Sequence, residues 1–209
     1  VKSIKGESTI NTDINNNHFM RLERAKLHGR WFFESLDESL KDLPINLNKI
    51  VEANNWDLLF EDLYGQDGFT MFKFKNGKKK FRICIDPYNI VERKRFTLAH
   101  EIGHIILGHF EQYYDKELSS YEEYILDKEA DMVAGEILMP YRTMLEHYNW
   151  SIKGLTYRYH VSKEAAQVRL DILKKDFMFL RDTKRYVKLD TQNINTSFAI
   201  IDEIVKYYL

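Results

Sequence analysis

Apolar positions recur at helical spacing over residues 19–40 (Met20, Leu22, Leu27, Trp31, Phe32, Leu36, Leu40), behind a polar stretch that reads as a flexible tail at residues 1–17. Pro44 then opens a short helix with Leu47, Ile50 and Val51 as its apolar stripe. Strand patterns follow. Trp56–Leu63 is a short apolar run, Phe69–Lys75 alternates imperfectly, and Phe81, Ile83 and Ile85 alternate with Arg82 and Cys84. Asn76-Gly77 is a hairpin-turn pair, and Asp86-Pro87 stops the last strand. Asn89 with Glu92 three residues on predicts the start of a long helix reaching Gly108–Phe110. Ser119 and Ser120 with Glu122 and Glu123 start another, which ends before Pro140. Shorter helices are predicted over 141–148, 152–159 and 163–175, with Ser162 capping the last, and an amphipathic stretch closes the chain. Helices, a small antiparallel sheet, then helices: the order is that of an α+β protein.

The chain has 209 residues, 44% hydrophobic and 30% charged, which suits a soluble globular protein with a real core. A net charge of −1 gives no global field toward nucleic acid, but the charge is uneven. Residues 115–131 are acidic (Asp115, Glu117, Glu122, Glu123, Asp127, Glu129 and Asp131 against two lysines), whereas residues 153–188 are basic. Cys84 is the single cysteine, so no internal disulfide is available, as fits a cytoplasmic setting, and no apolar run is long enough to span a bilayer.

The chemistry concentrates in His100-Glu101-Ile102-Gly103-His104. On a helix, positions i and i+4 share a face, so two imidazoles can converge on one ion, and Glu101 stands beside the first of them as a general base for an activated water. The flanks Phe96–Ala99 and Ile105–Leu107 make the helix apolar on most sides, and buried histidines with a glutamate need a role to offset their desolvation. A catalytic Zn2+ takes three protein ligands and keeps an open position. The third candidate is an acid on the next helix. Glu129 is favoured by its neighbours Ala130, Val133, Ala134, Ile137 and Leu138, which give that helix a buried side, while Glu122, Glu123, Asp131 and Glu136 compete. Asp131 can instead orient a histidine through its free ring nitrogen.

The stretch from Arg93 to His109 (RKRFTLAHEIGHIILGH) resembles the signature of the ImmA/IrrE family of metallo-endopeptidases. Residues 129–140 (EADMVAGEILMP) resemble that family's E-A-(N/D)-x-F-A-x-x-L-L-M-P segment, with Val133 in place of the usual Phe, and residues 159–170 resemble its VS-x-x-A-x-x-x-R-L stretch. The likeness implies Glu129 as the third zinc ligand. It also implies a zincin-like peptidase domain over residues 18–148 and a helical, helix-turn-helix-like region over 149–209. The substrate class it implies is a helix-turn-helix repressor of a mobile element, phage or stress regulon.

Other residues carry blander readings. Five positions past His104, His109 turns to another face and reads as packing or a helix-end charge; His18 and His28 read as surface residues and Cys84 as a small core residue. Tyr141, His147, Tyr148, Tyr157, Tyr159 and His160 are candidate oxyanion donors among which the sequence does not choose. Residues 152–175 either pack on the catalytic core or dock a partner, and their basic excess keeps DNA as a second reading. The alternative function is a non-proteolytic zinc-containing regulator that binds DNA or a repressor. Glu101 argues against it, because a structural zinc site has no use for a base beside an open position.

Overall fold

A computed structural model describes residues 5–75, 78–113, 115–146 and 151–182; of these, the side chains of residues 5–16, 75, 78 and 177–182 are left aside. The hairpin pair at 76–77, His147, Tyr148 and the amphipathic end of the chain lie outside the described residues. The elements run α1 (Lys5–Ser35), a 3-10 turn (Glu38–Leu40), α2 (Leu47–Ala53), β1 (Asp57–Phe60), β2 (Gly68–Lys75) and β3 (Lys78–Ile85). Then come α3 (Val91–Ile106), α4 (His109–Gln112), α5 (Ser120–Leu138), α6 (Tyr141–Glu146), α7 (Ile152–Tyr159) and α8 (Lys163–Asp182). The chain divides into two compact units between Gln167 and Val168, within α8. The first unit carries the sheet and helices α1 to α7.

Several starts and ends are as the local sequence dictates. Ser119 and Glu122 form a reciprocal capping box on α5, and the Ser162 hydroxyl accepts from the Ala165 N–H. Leu47, Ile50 and Val51 are the buried stripe of α2, but its cap is Asn46, which accepts from the Lys49 N–H, rather than a turn opened by Pro44. Helix α3 begins without a side-chain cap; the amide of Asn89 donates instead to Asp67. Helix α1 begins at Lys5, inside the stretch expected to be a flexible tail.

The sheet is mixed rather than antiparallel. Its order is β1-β3-β2, with β3 antiparallel to β2 and parallel to β1. β3 takes the centre because it is the apolar strand: Phe81, Ile83, Cys84 and Ile85 are buried, whereas Phe60, Met71 and Phe74 on the flanking strands are exposed. A strand paired on both sides has no free main-chain edge to offer a substrate. Among the described residues the edges belong to β1 and β2.

Helix α5 packs between α1 and α3, and its buried residues Ala130, Val133, Ala134 and Ile137 fill both seams. The buried face of α1 is Ala25, Lys26, Arg30 and Phe33, with Trp31 half exposed, so charged and small residues share the docking face with one aromatic ring. Small residues allow close approach, and Arg30 donates to buried Glu136 at 3.0 Å. The α3–α5 seam is tighter still. A Cβ built on Gly103 stands 2.9 Å from the carbonyl oxygen of Ala130 and 3.1 Å from its Cα, so this position of the H-E-x-x-H run must be glycine for the helices to touch.

Gly103→Ala is expected to destabilise the protein by about 1–3 kcal/mol, because backbone rather than a movable side chain blocks the methyl. Gly135→Ala, in α5 with nothing within 4 Å of the added carbon, is expected to gain about 0.4–1 kcal/mol through helix propensity. Urea denaturation of the two variants measures the difference; equal effects would contradict the tight seam.

Candidate metal centre

The close α3–α5 contact sets two i,i+4 pairs against each other: His100 and His104 on α3, Asp127 and Asp131 on α5. His100 Nδ1 donates to Asp131 Oδ1 at 2.9 Å, and Lys128 Nζ holds the other carboxylate oxygen at 2.8 Å. With its proton on Nδ1, His100 presents Nε2 as a lone pair. His104 Nε2 faces it at 3.0 Å. Asp127 Oδ1 completes a triangle, 3.5 Å from His104 Nε2 and 3.8 Å from His100 Nε2.

Ligand atoms about 2.0–2.1 Å from one tetrahedral ion stand about 3.3 Å apart, so this donor triangle has the size a cation requires. Two nitrogens and one carboxylate oxygen also match the ligand set of catalytic zinc. Among the described residues, His100, His104 and Asp127 are the group that can hold a metal. Asp127 has a side chain 60% exposed, so the metal position opens to solvent on the α5 side, while the histidines are mostly buried.

Glu129, the acid the sequence singled out, is not brought to this triangle. Arg21 of α1 donates to it through Nε at 2.7 Å and Nη2 at 2.8 Å, and His109 Nε2 lies 3.3 Å from its Oε2. Its apolar neighbours do mark the α5 seam, but two positions on from Asp127 a helix has turned well past a right angle, and Glu129 meets α1 instead. Asp131 is hydrogen-bonded to His100. Asp127 stands at the triangle instead; its i,i+4 spacing to Asp131, repeating that of the histidines, is the sequence signal that marks it.

His109 also stands where spacing did not put it. Helix α3 ends at Ile106, and Gly108 takes a left-handed conformation (φ 69°) that restarts the chain as α4. The break swings His109 back, so that its Nδ1 lies 2.9 Å from His104 Nδ1. Glu101 is 8% exposed and has no hydrogen-bond or ion-pair partner among the described residues, which leaves its carboxylate available. Cys84 is a buried core residue of β3. Of the candidate oxyanion donors, Tyr159 donates its hydroxyl to Thr143 and Tyr141 lies under the Arg30 guanidinium, both as core residues.

The electrostatics follow from these contacts. Burial alone would lower the His100 pKa, but Asp131, with Glu101 and Asp127 nearby, raises it. Burial lowers that of His109. Burial disfavours a charged Glu129, yet His109 and Arg21 outweigh it and bring the carboxyl down from 4.5 to about 2. Beside the histidines a cavity of about 350 Å³ is lined by Phe72, Phe110, Tyr113 and Leu126 together with His104 and Asp127.

A carboxylate whose pKa is depressed on folding contributes stability that is fully present above its unfolded value and is lost as pH falls through the folded one. For Glu129 the window runs from about 4.5 down to about 2, with a contribution on the order of 3 kcal/mol. Urea unfolding of the metal-free protein is expected to show it, and Glu129→Gln to be less stable at pH 7 with a flatter decline in acid. Parallel pH profiles for the two proteins would show that Glu129 carries no such linkage.

No described helix is long and apolar enough to cross a membrane. No curated protein matches the chain. Residues 57–171 match a peptidase family described as the IrrE N-terminal-like domain, in agreement with the likeness carried by the H-E-x-x-H stretch and the segment after it. That match spans more than half of the chain, from β1 into α8, and takes in His100, Glu101, His104, Asp127 and Asp131. The chain belongs to the IrrE N-terminal-like family of peptidases.

Proposed function

We propose that this protein is a zinc-dependent endopeptidase, with the metal held by His100, His104 and Asp127 and with Glu101 as general base. The observation that carries this reading is the donor triangle, two facing imidazole nitrogens and an open-sided carboxylate, next to a buried glutamate without a partner among the described residues. A bound Zn2+ would supply Lewis-acid polarisation of the scissile carbonyl and acidify the attacking water. Glu101 accepts a proton from that water as its oxygen bonds to the carbonyl carbon, then delivers it to the amine as the C–N bond breaks. Asp131 and Lys128 hold the His100 ring while this happens.

The cavity beside His104 fits an apolar side chain flanking the scissile bond. Because β3 is paired on both sides, an extended substrate would add to the free edge of β2, whose Phe72 lines that cavity. The site itself sees only a peptide bond, so selection of a particular protein needs further surface. The basic stretch 153–188 can attract an acidic partner, and the substrate class proposed is a folded helix-turn-helix repressor, met in the cytoplasm. DNA binding by α7 and α8 is the second reading. Against it, Arg95 of α3 donates to the carbonyls of Tyr159 and His160, and Tyr159 is fully buried, so the end of α7 is docked on the core.

Metal analysis is expected to find one zinc per chain, and Asp127→Ala to lose it; stoichiometric zinc in that variant would refute the ligand assignment. Glu101→Gln is expected to retain zinc and lose cleavage by ~10²-fold or more.

Cleavage of the repressor is expected to weaken as salt rises and when Lys174, Lys175, Lys184 and Arg185 are reversed to Glu, with zinc content unchanged; Lys184 and Arg185 lie outside the described residues. Normal cleavage with lost duplex-DNA binding in the reversed protein would favour the second reading.

A further inference from the structure

The metal ligand His104 is buttressed on its outer ring nitrogen by a histidine rather than by an acid, and the chain of contacts behind that histidine leads to α1. Arg21 grips Glu129 with two parallel N–H donors, at 2.7 and 2.8 Å, which fixes the carboxylate and keeps it charged. Its Oε2 faces His109 Nε2 at 3.3 Å, and a carboxylate oxygen in that position accepts, so His109 carries its proton on Nε2. The Nδ1 of a neutral His109 is then a bare lone pair. It faces His104 Nδ1 at 2.9 Å, so His104 carries its own proton there and is left with a lone pair on Nε2. That is the atom that looks toward His100 and Asp127.

We infer that Arg21, Glu129 and His109 form a positioning relay that sets the ring orientation and tautomer of His104 for metal binding, with the first helix as its outer end. The inference rests on the metal site proposed above and adds three residues that do not themselves touch the ion. It also gives Glu129 a role two contacts behind a ligand. On the other side of the site Asp131 reaches His100 directly. The longer arm through His109 exists because Gly108 turns the chain back, and Arg21 lies outside the segment matched to the peptidase family. The relay therefore joins the matched segment to a helix that precedes it.

The test uses the full chain and reads metal binding rather than proteolysis. Zinc affinity is measured by competition with a chromogenic chelator in the wild type, Glu129→Gln, Arg21→Met and Arg21→Lys. Histidine tautomers are followed in parallel by long-range proton–nitrogen NMR, with and without zinc. The wild type is expected to show protons on His104 Nδ1 and His109 Nε2. Glu129→Gln and Arg21→Met are expected to bind zinc on the order of 10-fold more weakly or worse, as when the outer partners of a metal ligand are removed, and to lose the single His109 tautomer. Arg21→Lys keeps the charge without the fork and should fall between; it also stands in if the other variants fold poorly. Arg30→Met is the control, since Arg30 bonds Glu136 across the same two helices without touching the relay. Zinc affinity within twofold of wild type with unchanged tautomers would overturn the inference. So would an equal loss in Arg30→Met, which would trace the effect to helix docking. If the wild type binds no zinc while its tautomers still respond to Arg21 and Glu129, the relay stands and the metal assignment fails.

Discussion

The contact on which the site depends is the touch of α3 against α5 at Gly103. With no side chain there, the helix bearing both histidines lies against the backbone of Ala130, close enough for side chains one turn away to meet. Ala130 and Ala134 keep the facing surface equally low, and the wholly buried Ile102 and Ile137 fill the seam around it. The polar residues at its margin then have little freedom of partner. A carboxylate is short, and at a wider helix separation Asp131 would not reach His100 across the seam. The glycine inside the H-E-x-x-H run therefore belongs to the chemistry as much as to the packing, although it bears no functional group.

Once the helices touch, hydrogen bonding decides what the site can bind. Two carboxylates held by cations, Asp131 by Lys128 and Glu129 by Arg21, stand on opposite sides of the ring pair. Each accepts an N–H, directly or through His109, so the protons are drawn outward and the inner nitrogens are left as electron pairs pointing at each other. Such an arrangement is unfavourable when nothing positive lies between them. The protein thus holds Asp131 and Glu129 where they polarise the site from behind, while Asp127 contributes its charge at the front.

Much of this was readable in the chain because it is local. The H-E-x-x-H spacing places two rings on one face whatever surrounds them, the Ser119–Glu122 box starts α5 from within four residues, and the alternation of Phe81, Ile83 and Ile85 marks the most buried strand. What was not readable depends on contacts between distant segments. Apolar neighbours locate the side of α5 that is buried, but α5 is buried on two sides, and only the packing shows that Glu129 belongs to the α1 side and Asp127 to the α3 side. A regular helix continued through Gly108 would turn His109 to another face; the left-handed conformation of that glycine redirects the ring instead. The parallel pairing of β1 with β3 follows from which strand is apolar enough for the middle, a comparison among strands rather than a property of any one. Asn89 has the look of a cap, but its amide is engaged by Asp67 in a preceding loop.

The matched family segment begins at Asp57, yet α5 is covered on one side by α1, more than twenty residues earlier. A fragment trimmed to the matched span would leave Glu136 buried in its helix without Arg30 and Glu129 without Arg21, and would bare the faces of Val133 and Ile137 to water. Acids that have lost a cation beside an uncovered apolar strip are poorly tolerated in either a core or a surface. The recognisable part of the sequence is in this sense smaller than the cooperative unit. Where such a peptidase is cut out for study or joined to another domain, the boundary that matters lies ahead of Arg21, not at the first strand.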